Sequence, residues 1–313
     1  MTSFRSRCSG HWWTMRAGLQ RWSTRLQLDD HPWSVPLHDE ARPDLTLRGR
    51  IHRGAARDTA VVLVHGLGGG ADSPYLRVAA AECARRGWDV LRVSLRGADR
   101  SGEDFYHAGL SDDLVPAIRT FAGFRRVFLI GYSLGGHLAL HYATRPDAEI
   151  HGVVAIGAPL DLQRSALAFD RPSATLYREV VLASLKRAYR AYAARHPEVA
   201  PYRTIAPVRT IRGWDRAVVV PRFGFGSTAR YYAAMSVAPR LSHLRIPALY
   251  IGAQGDPMVP RWTVEPHLAA ASTMEVHLLP RGGHVAFPGR LVLQGRPGAL
   301  EGHVFDWLDR RLV

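Results

Sequence analysis

The most constraining feature of this chain is a short apolar run that ends in a serine set between glycines. Arg126–Gly131 (RVFLIG) reads as a buried strand, and Gly131-Tyr132-Ser133-Leu134-Gly135-Gly136 follows it without a spacer. Leu134–Ala143 then reads as a helix. A strand that turns straight into a helix brings main-chain atoms very close together, which glycine tolerates because it has no Cβ. G-x-S-x-G in that setting holds a serine hydroxyl exposed at a helix N-terminus, with the next backbone N–H facing the same point. The serine is a candidate nucleophile, and Gly131 and Gly135 are the residues that make its turn.

The surrounding pattern alternates strand and helix. Asp44–His52 alternates apolar and polar residues like a half-buried strand, and Ala60–Val64 (AVVLV) is a short continuous apolar run. Ser73–Arg86 reads as a helix, Trp88–Ser94 as a strand and Leu110–Phe121 as a helix with Ser111 at its N-cap. Ile150–Gly157 is the next strand. After Pro159 the rhythm breaks, and 158–246 holds a helical stretch near Tyr177–Arg195 and proline-punctuated segments. It resumes with strand Pro247–Ala253, a helix near Thr263–Ala271, strand Thr273–Leu279 and a last helix at Ala299–Arg311. This predicts an α/β fold: a mostly parallel central sheet with helices on both faces and a mainly helical lid insertion. The chain divides into residues 1–28, a core of 29–157 and 247–313, and an insertion at 158–246.

A serine nucleophile needs a base, and the base needs an orienting carboxylate. In open α/β sheets reactive groups gather at the carboxyl ends of strands. Asp256 follows the strand PALYIGA, and His284 follows the next strand. Ser133, Asp256 and His284 also stand in the chain order Ser, Asp, His that such turns accompany. Asp161, after the preceding strand, is the rival acid. The turn His65-Gly66-Leu67-Gly-Gly-Gly70 lacks the Gly-Lys-Ser/Thr of a phosphate loop. It fits a loop that supplies a second oxyanion donor, the N–H of Leu67, beside that of Leu134. His65 and Gly66 then hold the loop. His107 and Asp112 have an H-x-x-x-x-D spacing that arises by chance, and His107 is read as lining the pocket rim. No cluster has metal-ligand spacing, so neither a metal nor another cofactor is expected.

These motifs resemble the α/β-hydrolase superfamily, and within it the YheT-like group related to the ABHD acylglycerol and phospholipid hydrolases. The residues that carry the resemblance are HGLGGGADSPYLR (65–77), SLRGADRSGEDFYHAGLSDDL (94–114), GYSLGGHLAL (131–140) and SLKRAYR (184–190). They continue with TIRGWDRAVVVPRFGFGSTARYYAAMS (210–236), IPALYIGAQGDPMVP (246–260) and RGGHVAFP (281–288). The resemblance implies an α/β-hydrolase fold, a triad of Ser133, Asp256 and His284, and oxyanion donors at Leu67 and Leu134. It implies a serine carboxylic-ester hydrolase acting on lipid-like, acylglycerol or acetyl esters. The alternatives are an acyltransferase with the same triad, or a non-catalytic ligand binder on this fold. The chain departs from the group at His137, where relatives often carry Asn, and over positions 1–58.

Charge narrows the partners. Lys+Arg 41 against Asp+Glu 27 gives +14, and only Lys186 is a lysine. Residues 1–28 carry five arginines and no acid, the insertion carries a net +10, and the core is near neutral. Codon usage explains arginine over lysine but not this segregation. Met15, Leu19, Trp22 and Leu26 fall at helical spacing, so residues 1–28 read either as a basic amphipathic helix on a membrane surface or as a frayed end. The expected partners are a small-molecule or lipid ester and, through residues 1–28 and the insertion, an anionic membrane. No nucleic-acid motif accompanies the charge. Cys8 and Cys83 cannot form a disulfide scaffold, and no apolar run approaches a membrane span. The expected compartment is the cytoplasm, with contact at the inner face of the membrane.

Overall fold

The strand Thr59–Val64 is buried at all six positions, as expected of a central strand covered on both faces. The computed structural model, which describes residues 9–15 and 28–312 apart from 38, 40, 41, 43 and 57, shows how it is covered. A short helix at residues 9–15 (α1) comes first, then strands β1 (His31–Pro36), β2 (Thr46–His52) and β3 (Thr59–Val64). Next are α2 (Pro74–Arg85), β4 (Asp89–Ser94), α3 (Leu114–Arg119), β5 (Arg126–Tyr132), α4 (Leu134–Ala143) and β6 (Gly152–Ile156). The insertion then holds α5 (Leu162–Phe169), the long α6 (Thr175–Arg195), single turns α7 (Tyr202–Ile205), α8 (Ile211–Trp214) and α9 (Val220–Phe223), and α10 (Thr228–Met235). β7 (Ala248–Ala253), α11 (Arg261–Leu268), β8 (Met274–Leu279), a small hairpin of β9 (Leu291–Leu293) and β10 (Arg296–Gly298), and α12 (Leu300–Asp309) complete the order.

The main sheet runs β1-β2-β4-β3-β5-β6-β7-β8. β3 to β8 are parallel, and β1 and β2 add an antiparallel edge. Side chains alternate across a strand. Val61 and Leu63 of β3 therefore join Leu76 and Cys83 of α2 and Phe305 and Trp307 of α12. Ala60, Val62 and Val64 join α3, α4 and the insertion on the other face. β3 lies between β4 and β5, so its neighbours continue the chain in opposite directions. The carboxyl ends of β3 and β5 are thus the crevice where open α/β sheets bind ligands.

One expectation is corrected by the structure. Leu110–Phe121 is not one helix capped by Ser111. A 3₁₀ turn, Ser111–Asp113, leads into α3, and the Ser111 hydroxyl meets His141 Nδ1 at 2.9 Å instead of capping. The edge strand β1 (HPWSVP) has no strand pattern in the sequence, because its two prolines interrupt it, and proline is tolerated at a sheet edge. Of the apolar line proposed for residues 1–28, Met15 lies at the end of α1, while Leu19, Trp22 and Leu26 lie outside the described residues. Among the described residues no helix is long and apolar enough to cross a membrane.

Candidate active site

The turn after β5 is built by close main-chain approach. A Cβ on Gly131 would lie 2.1 Å from Gly135 O, and one on Gly135 would lie 2.3 Å from Val64 O. Ser133 itself sits at φ +53°, ψ −123°, a strained conformation for a residue with a side chain. Its N–H donates to Ile156 O at 2.8 Å, which anchors the turn to β6. The strain is held by the sheet and aims the hydroxyl outward.

Loops after β7 and β8 bring the other two candidates to that hydroxyl. His284 Nε2 lies 2.8 Å from Ser133 Oγ, and His284 Nδ1 lies 2.9 Å from Asp256 Oδ2. The second carboxylate oxygen, Asp256 Oδ1, accepts from Met258 N–H at 2.8 Å and Val259 N–H at 2.9 Å. Those two bonds fix the orientation of the carboxylate and leave Oδ2 for the imidazole. Asp256 and His284 are both buried, so water competes little for these contacts.

The remaining predicted residues surround Ser133. Leu134 is the first residue of α4, where a backbone N–H has no partner inside the helix. On the facing loop, Gly66 N–H donates to Tyr75 OH at 3.0 Å and Gly68 N–H to Tyr106 OH at 2.7 Å. The Leu67 amide between them has no hydrogen bond among those of the described residues. Ser184 of α6 donates to Gly68 O at 2.8 Å and steadies the loop from the insertion. His65 accepts from Leu95 N–H at Nε2 (3.0 Å), so its Nδ1 carries the proton and donates to Gly66 O at 2.8 Å. Burial pulls its pKa down to about 4, which keeps it a neutral brace. Tyr75 and Tyr106 were not singled out from sequence, because tyrosine content carries no signal of a distant amide.

The rival groups are engaged elsewhere. Asp161 caps α5 through Arg164 N–H at 2.9 Å. His107 is buried against the rings of Phe223, Phe225 and Tyr231, and burial pushes its pKa down to about 3. Asp112 pairs with Arg145 on the surface, so His107 and Asp112 form no unit. The ring nitrogens of His137 lie 2.9 Å from Pro159 O and 2.9 Å from Met235 O. This side chain ties α4 to both ends of the insertion.

Two cavities meet at His284. One, of about 230 Å³, runs from Ser133 and Leu134 into the insertion, with Phe169, Leu185, Ile211 and Trp214 in its apolar wall. The other, of about 580 Å³, opens past Trp13, Thr14, Arg100 and Arg187. Leu67, Tyr75, His284 and Val285 border both. Asp215 is the acid in the apolar wall. It sits in a π-helical turn, accepts from Tyr232 OH at 2.6 Å, and is pushed up to about 7 by burial. Among the described residues no group of three or more His, Cys, Asp or Glu is arranged to hold a metal.

Comparison with known proteins follows the same lines. A family model described as alpha/beta hydrolase fold matches residues 59–290. "Putative esterase YheT" of Escherichia coli (strain K12) is 27% identical over 264 residues, covering 80% of this chain and 77% of that protein. "Monoacylglycerol lipase" of Saccharomyces cerevisiae is 24% identical over 215 residues, covering 64% of this chain and 48% of the yeast protein. A solved esterase of Pyrococcus furiosus superposes with a TM-score of 0.55 at 16% identity, covering 90% of this chain and 92% of the other, a likeness of fold.

Proposed function

The chain belongs to the α/β-hydrolase fold family, and from that premise we propose that it is a serine carboxylic-ester hydrolase working through an acyl-enzyme. One observation carries the reading: Ser133 Oγ, His284 and Asp256 form a continuous relay of 2.8 and 2.9 Å at the mouth of an apolar cavity. His284 Nε2 takes the Ser133 proton as Oγ attacks the acyl carbonyl. Asp256 holds the proton-bearing Nδ1 and stabilises the imidazolium that forms. The amides of Leu67 and Leu134 receive the developing oxyanion, and one such donor is worth roughly 3–4 kcal/mol of barrier. The imidazolium gives its proton to the leaving alkoxide, so the alcohol departs. Water then attacks the acyl-enzyme with His284 again as base, and Ser133 is regenerated.

The two cavities suit the two halves of an ester. The 230 Å³ cavity takes the acyl chain, because its wall is aliphatic and aromatic. The larger opening takes the alcohol, because Arg100 and Arg187 stand beside it. The insertion at 158–246 acts as a lid that supplies most of the acyl wall and excludes water. Its net +10 and its exposed Leu176 (62%) and Val180 (59%) suit contact with an anionic lipid surface. Exposed Trp12 (58%) lies next to His11, which hydrogen-bonds Tyr177 of α6, and adds to the same side.

A tagged fluorophosphonate is expected to label the full chain and not Ser133→Ala. Equal labelling of both, or none of an active wild type, refutes the reading. A p-nitrophenyl ester series from C2 to C16 reports the acyl length. With glycerol or lysolipid added, transfer that outruns hydrolysis at low acceptor concentration favours the acyltransferase reading, because any acyl-enzyme passes some acyl group to an alcohol in excess. Co-sedimentation with vesicles that ignores both anionic lipid and salt sinks the membrane contact.

A further inference from the structure

Thr14 of α1 is separated from His284 by 270 positions, yet the helix lies against the loops that carry both the acid and the base. The His284 backbone N–H donates to Thr14 Oγ1 at 2.8 Å. The Thr14 hydroxyl in turn donates to Gly10 O at 2.8 Å, one helical turn back. Its hydrogen is therefore committed within α1, and a lone pair is left facing His284. The contact is also close-packed. A Cβ on Gly10 would lie 1.8 Å from Gly255 O, the carbonyl just before Asp256. A Cβ on Gly283 would lie 2.4 Å from both Gly10 O and Thr14 Oγ1. One turn of helix thus touches the residue before the carboxylate and the residue before the imidazole.

The same turn is tied to the insertion. His11 Nδ1 lies 2.8 Å from Tyr177 OH, and the two rings stack with centroids 5.7 Å apart. The loop it holds is strained. Val285, the residue after His284, has φ +50°, which a β-branched side chain strongly disfavours. Such a conformation persists only where surrounding contacts over-determine it. The bond from Gly283 N–H to Ala286 O at 2.7 Å closes the turn from within. Thr14 holds it from outside, at the amide of the base itself.

We infer that α1 is a built wall of the active site and that Thr14 is a positioning residue for His284, acting through the backbone amide of the base. The inference rests on the proposed ester-hydrolase reading. Misplacing a catalytic group by a fraction of an ångström to an ångström costs about 10- to 100-fold in rate. Thr14 borders the larger cavity but not the acyl cavity, and its hydroxyl is spent on Gly10 O and the His284 amide, so its loss is expected to act chiefly on the chemical step.

The test uses the full chain carrying Thr14→Ala, Thr14→Ser and Gly10→Leu, with p-nitrophenyl ester kinetics, fluorophosphonate labelling rate and Tm. T14A is expected to lower kcat and the labelling rate together by about tenfold, with KM within about twofold. T14S, which keeps the hydroxyl, is expected to restore both. G10L wedges α1 off the two loops and gives a loss that T14A does not deepen, since both break one contact. T14A with wild-type kcat overturns the inference. So does equal impairment of T14A and T14S, or a fall in Tm and a rise in KM with no separate change in kcat. If T14A folds poorly, G10L alone decides: wild-type kcat in G10L overturns the inference. A wild type that hydrolyses no ester and takes no fluorophosphonate label is a failure of the ester-hydrolase reading instead, and is told apart by wild type alone.

Discussion

The sheet and the insertion meet at one cavity but are held by different forces. β3, β6 and β7 are buried at every residue and bonded on both sides along their length. α6 of the insertion buries one stripe, Val181, Leu182, Leu185, Tyr189 and Tyr192, and leaves Leu176 and Val180 in solvent. Side-chain contacts fasten the insertion to the core: Ser184 to Gly68 O, Arg195 to Ser101 O, and Arg222 of α9 to Asp104. A backbone ladder fixes the reacting atoms, whereas side-chain packing and side-chain hydrogen bonds hold the insertion. Changes in the first region should strike kcat, and changes in the second should strike stability, KM or pH response.

The largest expected effect is at the elbow. Ser133→Ala should lower kcat for a p-nitrophenyl ester by about 10⁶-fold while the circular dichroism spectrum stays unchanged. Asp256→Asn comes next, at about 10⁴-fold, because the wrong imidazole tautomer then faces Ser133. A loss of less than tenfold in D256N would move the acid elsewhere. At the joint between the regions, Asp104 is fully buried and bonded to both Arg96 and Arg222. Asp104→Ala leaves buried guanidinium groups short of an acceptor and should cost about 3–5 kcal/mol in urea unfolding. An unchanged midpoint would mean that the joint carries no load.

The smallest effect belongs to the insertion alone. Burial holds the Asp215 carboxyl protonated in the folded chain up to about pH 7, whereas it ionises near its ordinary value of 3.8 when unfolded. Between those values the folded state binds the extra proton. This contribution to stability is therefore complete below about pH 4 and is lost as pH rises through about 7, amounting to a few kcal/mol. Asp215→Asn should flatten that part of a Tm-against-pH curve. An unaltered slope would show that Asp215 is ionised in the folded state.

The parallel strands were legible because burial on both faces demands continuous apolar runs, and β3, β5, β6 and β7 fall within a residue or two of those runs. The elbow was legible because its geometry is local: three glycines and a serine within six residues meet the need for close backbone approach. The middle of the chain was legible only as an interruption. The boundaries of its short helices depend on what each turn packs against, and the π-helical turn at Asp215–Val219 has no local signature.

The buried parallel strands, the serine turn and the positions of Asp256 and His284 at strand ends follow from the amino-acid sequence alone, because hydrophobic period and turn chemistry act over a few residues. Tertiary structure decided which of fifteen histidines meets Ser133. It brought Tyr75 and Tyr106 to the amides beside Leu67, buried Asp215 in an apolar wall and seated Thr14 on the backbone of His284. Each of these joins groups far apart in the chain, so its energy exists only once the sheet has closed the distance.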